Sequence, residues 1–188
     1  MKLFEEKKFN IPKLEGISEK AIETHLKLYA GYVKNVNDLL GEAEYNRRFP
    51  FEFDGMRMHE YYFSQFEGGS QQLSNESEFI KADFNIEQFK TMALTRGVGW
   101  AVVYYDQQSK QLLNAWVDEH HLGILTGLSP ILVLDMWEHA YFIDYTPAEK
   151  KKYIDAFFAN LNWRVCENNF LVLRSLGEVG LKAQNSEG

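Results

Sequence analysis

The amino-acid sequence predicts a two-domain α+β protein: an N-terminal arm and antiparallel helical hairpin over residues 1–80, followed by an α/β domain with a small antiparallel sheet over residues 81–188. Three observations predict it. Two early stretches carry apolar residues at helical spacing, a polar bridge SQQLSNESEF follows them, and the second half changes to short strand-like runs before returning to a helix.

Residues 1–16 read as an extended arm, because Pro12 blocks helix continuation and Gly16 precedes a fresh start. Ser18 is placed to cap a helix in ISEKAIETHLKLYAGYVKNVNDLLGEAEYN, where Ile22, Leu26, Tyr29, Val33, Val36 and Leu40 form one stripe. Phe49-Pro50 is expected to break that pattern, and a second helix follows Gly55 in MRMHEYYFSQFEG, stopped at Gly68-Gly69. In the second half, NIEQFKTMALTRG reads as a short amphipathic helix. WAVVYYD and QLLNAWVD read as strands joined by a polar turn, and ILVLDMW as an apolar strand ending at Asp135. PAEKKKYIDAFFANLNW returns to helical spacing, with Pro147 at a suitable first position.

Composition narrows the function classes. The chain of 188 residues is 45% hydrophobic, enough for a substantial core, and its single cysteine, Cys166, excludes a disulfide framework or thiolate zinc knuckle. A net charge of -7 argues against duplex nucleic acid as a partner, which requires clustered cations. It does not exclude a small anionic substrate, since local potential can oppose the global charge. No segment approaches the ~20 apolar residues of a membrane span. The opening MKLFEEKKFNIPKLEG has no apolar run of signal-peptide length, so the expected location is cytoplasmic.

The five histidines carry the chemistry. Asp135 and His139 stand four apart in DMWEH, at the exit of the strongest strand signal, a spacing that points both side chains to one side of a helical turn. Carboxylate and imidazole are ligands for iron, manganese or zinc, though helix polarity or a salt bridge gives the same spacing. His25 and His59 lie on different helices of the hairpin, which can direct both rings to a common gap that Asp135 and His139 close. Three neutral imidazoles and one carboxylate leave a divalent ion with about one positive charge, suited to redox-active iron or manganese.

LDMWEHAYFIDY is similar to the C-terminal signature of the iron/manganese superoxide dismutases, and the likeness extends through GVGW and KYIDAFFANLNW to nearly the whole chain. The resemblance implies a superoxide dismutase converting superoxide to dioxygen and hydrogen peroxide, with one manganese or iron ion per subunit (manganese preferred) and a homodimer. It carries the metal-ligand roles onto His59, Asp135 and His139, and a gating role onto Tyr32. The family places its first histidine eight residues before that tyrosine, which here is Thr24. His25, seven before it, is favoured because threonine is a poor ligand.

The resemblance also implies an imidazole or amide from the sheet region beside metal-bound solvent, and His120 and His121 are the candidates. His121 is favoured, with His120 at the surface. Trp100, Trp137 and Trp163 match aromatic positions that line or support the family site, while Trp116 packs the sheet. Glu138 matches a residue used across the dimer interface. Tyr29 and Phe142 stand where the family pairs a histidine with a tyrosine between subunits, so that bridge is missing in its usual form. Two alternatives remain: a metal-binding homologue with weak or lost activity, and, more remotely, a non-haem iron oxygenase.

Overall fold

The structure, a computed structural model, describes residues 2–40 and 47–185, with side chains described as far as residue 176. After the extended arm come α1 (Glu19–Leu39) and α2 (Arg48–Ser64), then the short helices α3 (Glu78–Lys81) and α4 (Ile86–Ala93). Three strands follow: β1 (Gly99–Asp106), β2 (Gln111–Asp118) and β3 (Ser129–Asp135). The chain closes with α5 (Glu138–Tyr141), a 3₁₀ turn at Pro147–Glu149, α6 (Lys150–Asn160) and α7 (Trp163–Asn185).

Ser18 caps α1 as expected, its side chain accepting from the Ala21 N–H. The buried stripe of α1 lies partly aside from the expected one: Ala21, His25, Tyr29, Tyr32, Val33, Val36 and Leu39 face inward, and Ile22 and Leu26 pack at its edge. Polar His25 and hydroxylated Tyr32 thus take interior positions that an apolar count passes over. The helix was expected to run on to residue 46, but it ends at Leu39, and residues 41–46 lie outside the described part.

The second helix corrects the expectation. It starts at Arg48 rather than after Gly55, and Pro50 is its third residue. A helix leaves its first N–H groups without intrahelical partners, so a proline there forfeits no bond. The hairpin is antiparallel: Asn35, Tyr29 and His25, descending along α1, meet Glu52, Glu60 and Phe63, ascending along α2. The polar bridge is also more ordered than its composition suggests. Ser77 caps α3 through the Phe79 N–H, and the Phe79 ring is fully buried.

The sheet has order β2-β1-β3, with β1 antiparallel to both neighbours. β1 is buried along nearly all its length because α4 and α7 also pack against it. Trp100 lies opposite Asp135, and directly opposed residues share a sheet face, so both point the same way. Gln65, at the end of α2, fixes that helix to β3 by accepting from Val133 N–H and donating to Val133 C=O. Gly99 has φ +148 and a Cβ there would lie 2.3 Å from the Val117 carbonyl oxygen, so only glycine lets the start of β1 close on β2. Among the described residues, no helix is long and apolar enough to cross a membrane.

Candidate metal centre

Four elements each present one donor. α1 supplies His25, α2 supplies His59, the last residue of β3 is Asp135, and α5 supplies His139. Their donor atoms all lie within 4.8 Å of one another. Asp135 Oδ2 is the hub: His25 Nε2 is 3.1 Å away, His139 Nε2 3.1 Å and His59 Nε2 3.7 Å. Its other oxygen accepts from the Trp137 N–H at 2.8 Å, and its main-chain carbonyl accepts from the Tyr153 hydroxyl at 2.9 Å. The carboxylate is therefore fixed from both ends, with one oxygen left facing the histidines.

Thr24 is exposed and His25 is 2% exposed within the cluster, so the helix-one residue that reaches the site is His25. Its seven-residue spacing to Tyr32 is close to two helical turns (~3.6 residues each), which keeps both on one face of α1. His59 is oriented by its own helix, with Nδ1 at 2.6 Å from the Gly55 carbonyl oxygen, so Nε2 points into the cluster.

The donors suit a cation. Nε2 of His25 and of His59 are buried without a hydrogen-bond partner, although His25 Nε2 is at hydrogen-bond distance from Asp135. Buried polar atoms are ordinarily satisfied, so two buried imidazole nitrogens without a full hydrogen bond, converging on one carboxylate oxygen, fit a shared ion. Burial holds both imidazoles below the ordinary histidine value, His59 well below it with added repulsion from His25. They are thus neutral, as ligation requires. Burial alone would push Asp135 up, but the adjacent imidazoles, His139 before His25, outweigh it and hold the carboxyl well below the usual carboxylate range.

Of the adjacent pair, His120 and not His121 faces the cluster, a correction to the expectation. His120 is fully buried, with Nε2 at 2.6 Å from Tyr32 Oη and Nδ1 accepting from Trp100 Nε1–H at 3.0 Å. Trp116, Val117 and Asp118 end β2, and the turn after them swings His120 inward and leaves His121 half-buried against Phe51. A pattern of strand alternation could not choose between them because neither lies on a strand. Burial lowers His120 to about 4, so it is neutral, and burial pushes Tyr32 up, with the charges of Asp135 and Glu52 adding to it. Indole N–H only donates, so Nδ1 of His120 must accept and Nε2 must carry the proton. Tyr32 therefore accepts from His120 and keeps its own hydroxyl proton to give.

The aromatic surround differs in part from expectation. Trp100 lies edge-on to His59 at 5.0 Å, and Trp137 stacks on His139 at 5.7 Å and on His120 at 4.8 Å. Trp163 does not reach the site. It begins α7 and packs among Phe79, Phe84 and Phe158 rather than against the histidines. Its place is taken by residues the sequence left unassigned: Phe63 and Tyr62 against His25 at 4.8 and 5.1 Å, and Phe51 against His120 at 4.6 Å. Phe63 and Tyr62 stand four and three residues after His59, which is the signal that places them on its face of α2. Gly55 admits the close approach of Tyr32: a Cβ there would lie 2.8 Å from its ring and 3.2 Å from His120 Cδ2.

Tyr29 is buried and turned inward, its hydroxyl donating to Glu60 at 3.3 Å. Phe142 is 43% exposed and Glu138 is exposed, next to His139. Trp116 donates its indole N–H to Asp118 at the sheet edge, away from the cluster.

Comparison with known proteins gives the same direction. Residues 70–169 match the C-terminal domain of the iron/manganese superoxide dismutases. The chain is 32% identical over 184 residues to a superoxide dismutase [Fe] of Aquifex pyrophilus, covering 84% of this chain and 85% of that protein. A superoxide dismutase [Fe] of Aquifex aeolicus is 31% identical with the same coverage. A superoxide dismutase [Mn] 2 of Halobacterium salinarum is 38% identical over 116 residues, 60% of this chain and 58% of that one. With a family match across half the chain and a relative alike over 84% of it, this protein belongs to the iron/manganese superoxide dismutase family.

Proposed function

We propose that the protein is a superoxide dismutase whose metal, manganese or iron, is held by His25, His59, Asp135 and His139. The observation that carries this reading is the pair of buried, unpartnered Nε2 atoms converging on Asp135 Oδ2. The reaction consumes two superoxide anions and two protons and yields dioxygen and hydrogen peroxide. Bound iron or manganese supplies one-electron exchange by alternating between trivalent and divalent states. The chain's residues do the rest. Trp100, Trp137, Phe51 and Phe63 keep bulk water off the donors, which strengthens every charge interaction inside. Tyr32 holds a proton at Oη beside the cluster, and the Nε2–H of His120 stabilises the oxygen from which that proton departs. Superoxide is small, so no organic-substrate pocket is needed.

An oxygenase with two histidines and one carboxylate leaves one imidazole of the cluster without a role. The reading of a homologue with weak activity rests on the missing Tyr29–Phe142 bridge, and is separated from ours by superoxide consumption of the metal-loaded protein. Metal-edge anomalous diffraction tests the centre itself. The expected peak lies among His25, His59, Asp135 and His139; a peak beside Thr24, or none there in active protein, overturns the assignment. Manganese is the proposed resident, tested by activity measured separately after manganese and iron loading. A homodimer, a cytoplasmic location and a division of the chain near residue 80 complete the proposal. Exposed Glu138, Phe142 and Ile143 beside the centre support the dimer, and light scattering of the purified protein checks it.

A further inference from the structure

We propose that the N-terminal arm is a positioning element of the metal centre, acting through Lys7, Phe9 and the buried carboxylate of Glu60 on the helices that carry His25 and His59. This inference rests on the metal-binding reading above.

Glu60 directly follows His59 on α2 and is 6% exposed. Its carboxylate gathers partners from three elements: Tyr29 Oη of α1 at 3.3 Å, Lys7 Nζ of the arm at 2.8 Å and Arg57 Nη1 of its own helix at 2.7 Å. The Tyr29 hydroxyl in turn accepts the main-chain N–H of Lys7 at 2.9 Å. Tyr29 stands one helical turn after His25, so a tie between Tyr29 and Glu60 fixes how α1 is rotated against α2 at the level of the two imidazoles. Those rings lie 4.9 Å apart, close to edge-on. A buried carboxylate keeps its place only while its hydrogen bonds and counter-charges are in place, and the arm provides one of them.

The second link is apolar. Phe9 of the arm packs on Tyr29 at 5.8 Å and on Phe63 at 5.5 Å, and Phe63 packs on His25 at 4.8 Å and on His59 at 6.2 Å. One ring therefore separates the arm from both imidazoles. The arm is seated along its length: Phe4 exchanges two hydrogen bonds with the Asn37 side chain, Asn10 N–H donates to Glu67, and Glu15 exchanges two with Asn160. Interior packing is close and transmits small displacements, so loosening this strap lets the rings drift from their common point.

The test uses the full chain with Tyr29→Phe, which keeps the ring and removes the tie, and Phe9→Leu, which thins the apolar link. Three quantities are read for each: release of manganese into excess chelator, the thermal midpoint of the metal-free protein, and the imidazole nitrogen resonances of the metal-free protein. A direct hydrogen-bond partner of a metal ligand is typically worth ~10–100-fold in affinity; Tyr29 acts one residue further out, through Glu60, so release about threefold faster is expected for Tyr29→Phe, with Phe9→Leu in the same direction. The resonances of His25 and His59 should shift while those of His121 stay. Unchanged release and unchanged resonances overturn the proposal, as does faster release that only tracks a lower midpoint with unmoved resonances. A parent protein that takes up no metal overturns the metal-centre reading instead, and the His25 and His59 resonances of the variants then decide the role of the arm.

Discussion

Tyr32 Oη and His120 Nε2 are 2.6 Å apart, joining α1 to the turn after β2. The direction of that hydrogen bond is set by a third residue, Trp100, whose indole N–H occupies the other imidazole nitrogen at 3.0 Å. Removing the indole donor should therefore change proton handling without removing any metal donor. For Trp100→Phe, superoxide consumption per bound metal is expected to fall about tenfold or more, within the range of general acid effects, while metal content stays near the parent's. Pulse radiolysis with elemental analysis checks both quantities, and Tyr32→Phe should show the same pattern.

Gly55 is required by space. A methyl group there meets the Tyr32 ring at 2.8 and 2.9 Å from backbone positions that α2 holds fixed. Gly55→Ala should cost about 1–3 kcal/mol, the usual range for overpacking, and should displace Tyr32 from His120. Denaturant unfolding measures the first effect. The second is read as activity lost with metal retained.

Thr24 and His25 are neighbours with opposite exposures. His25→Ala should abolish stoichiometric metal uptake, whereas Thr24→Ala on the exposed face of α1 should leave both uptake and activity at the parent's level. Metal analysis after dialysis separates the two outcomes.

The buried imidazoles make the metal-free protein acid-sensitive. His120 is held down to about 4 by burial, from an ordinary value of 6.5. In the unfolded chain its ring takes up a proton as pH falls below 6.5, while the native ring refuses one until about 4. Stability is thus retained above that window and lost as pH falls through it, by an amount on the order of 3 kcal/mol for this residue at ~1.4 kcal/mol per pKa unit. Urea unfolding at stepped pH should show a shallower acid decline in metal-free His120→Gln than in the parent.

Much of the molecule was legible in the sequence, and the failures have physical causes. The three strands follow from apolar runs, and α4 from its helical spacing, although it ends at Ala93, short of the glycines that follow it; the Asn85 side chain caps its start through the Gln88 N–H. The DMWEH spacing placed Asp135 and His139 together because a strand end and one helical turn determine their relation locally. The start of α2 was not legible, since Pro50 reads as a breaker unless the helix is known to begin just before it. His120 was not legible either: its inward turn depends on Trp100 and Tyr32, which are distant in sequence and specify its partners only after the sheet has met the hairpin. Trp163 shows the reverse error, where a residue's likeness in sequence did not determine that its ring packs among Phe79, Phe84 and Phe158.

Asp135 and the two hairpin histidines come from distant parts of the sequence. His25 and His59 belong to a unit made from the first third of the chain, whereas Asp135 and His139 emerge more than seventy residues later. An ion held by all four acts as a clasp between early and late segments, and it stabilises only the fully assembled chain. Bound metal would therefore shift the balance toward the assembled chain, as well as equip it for chemistry.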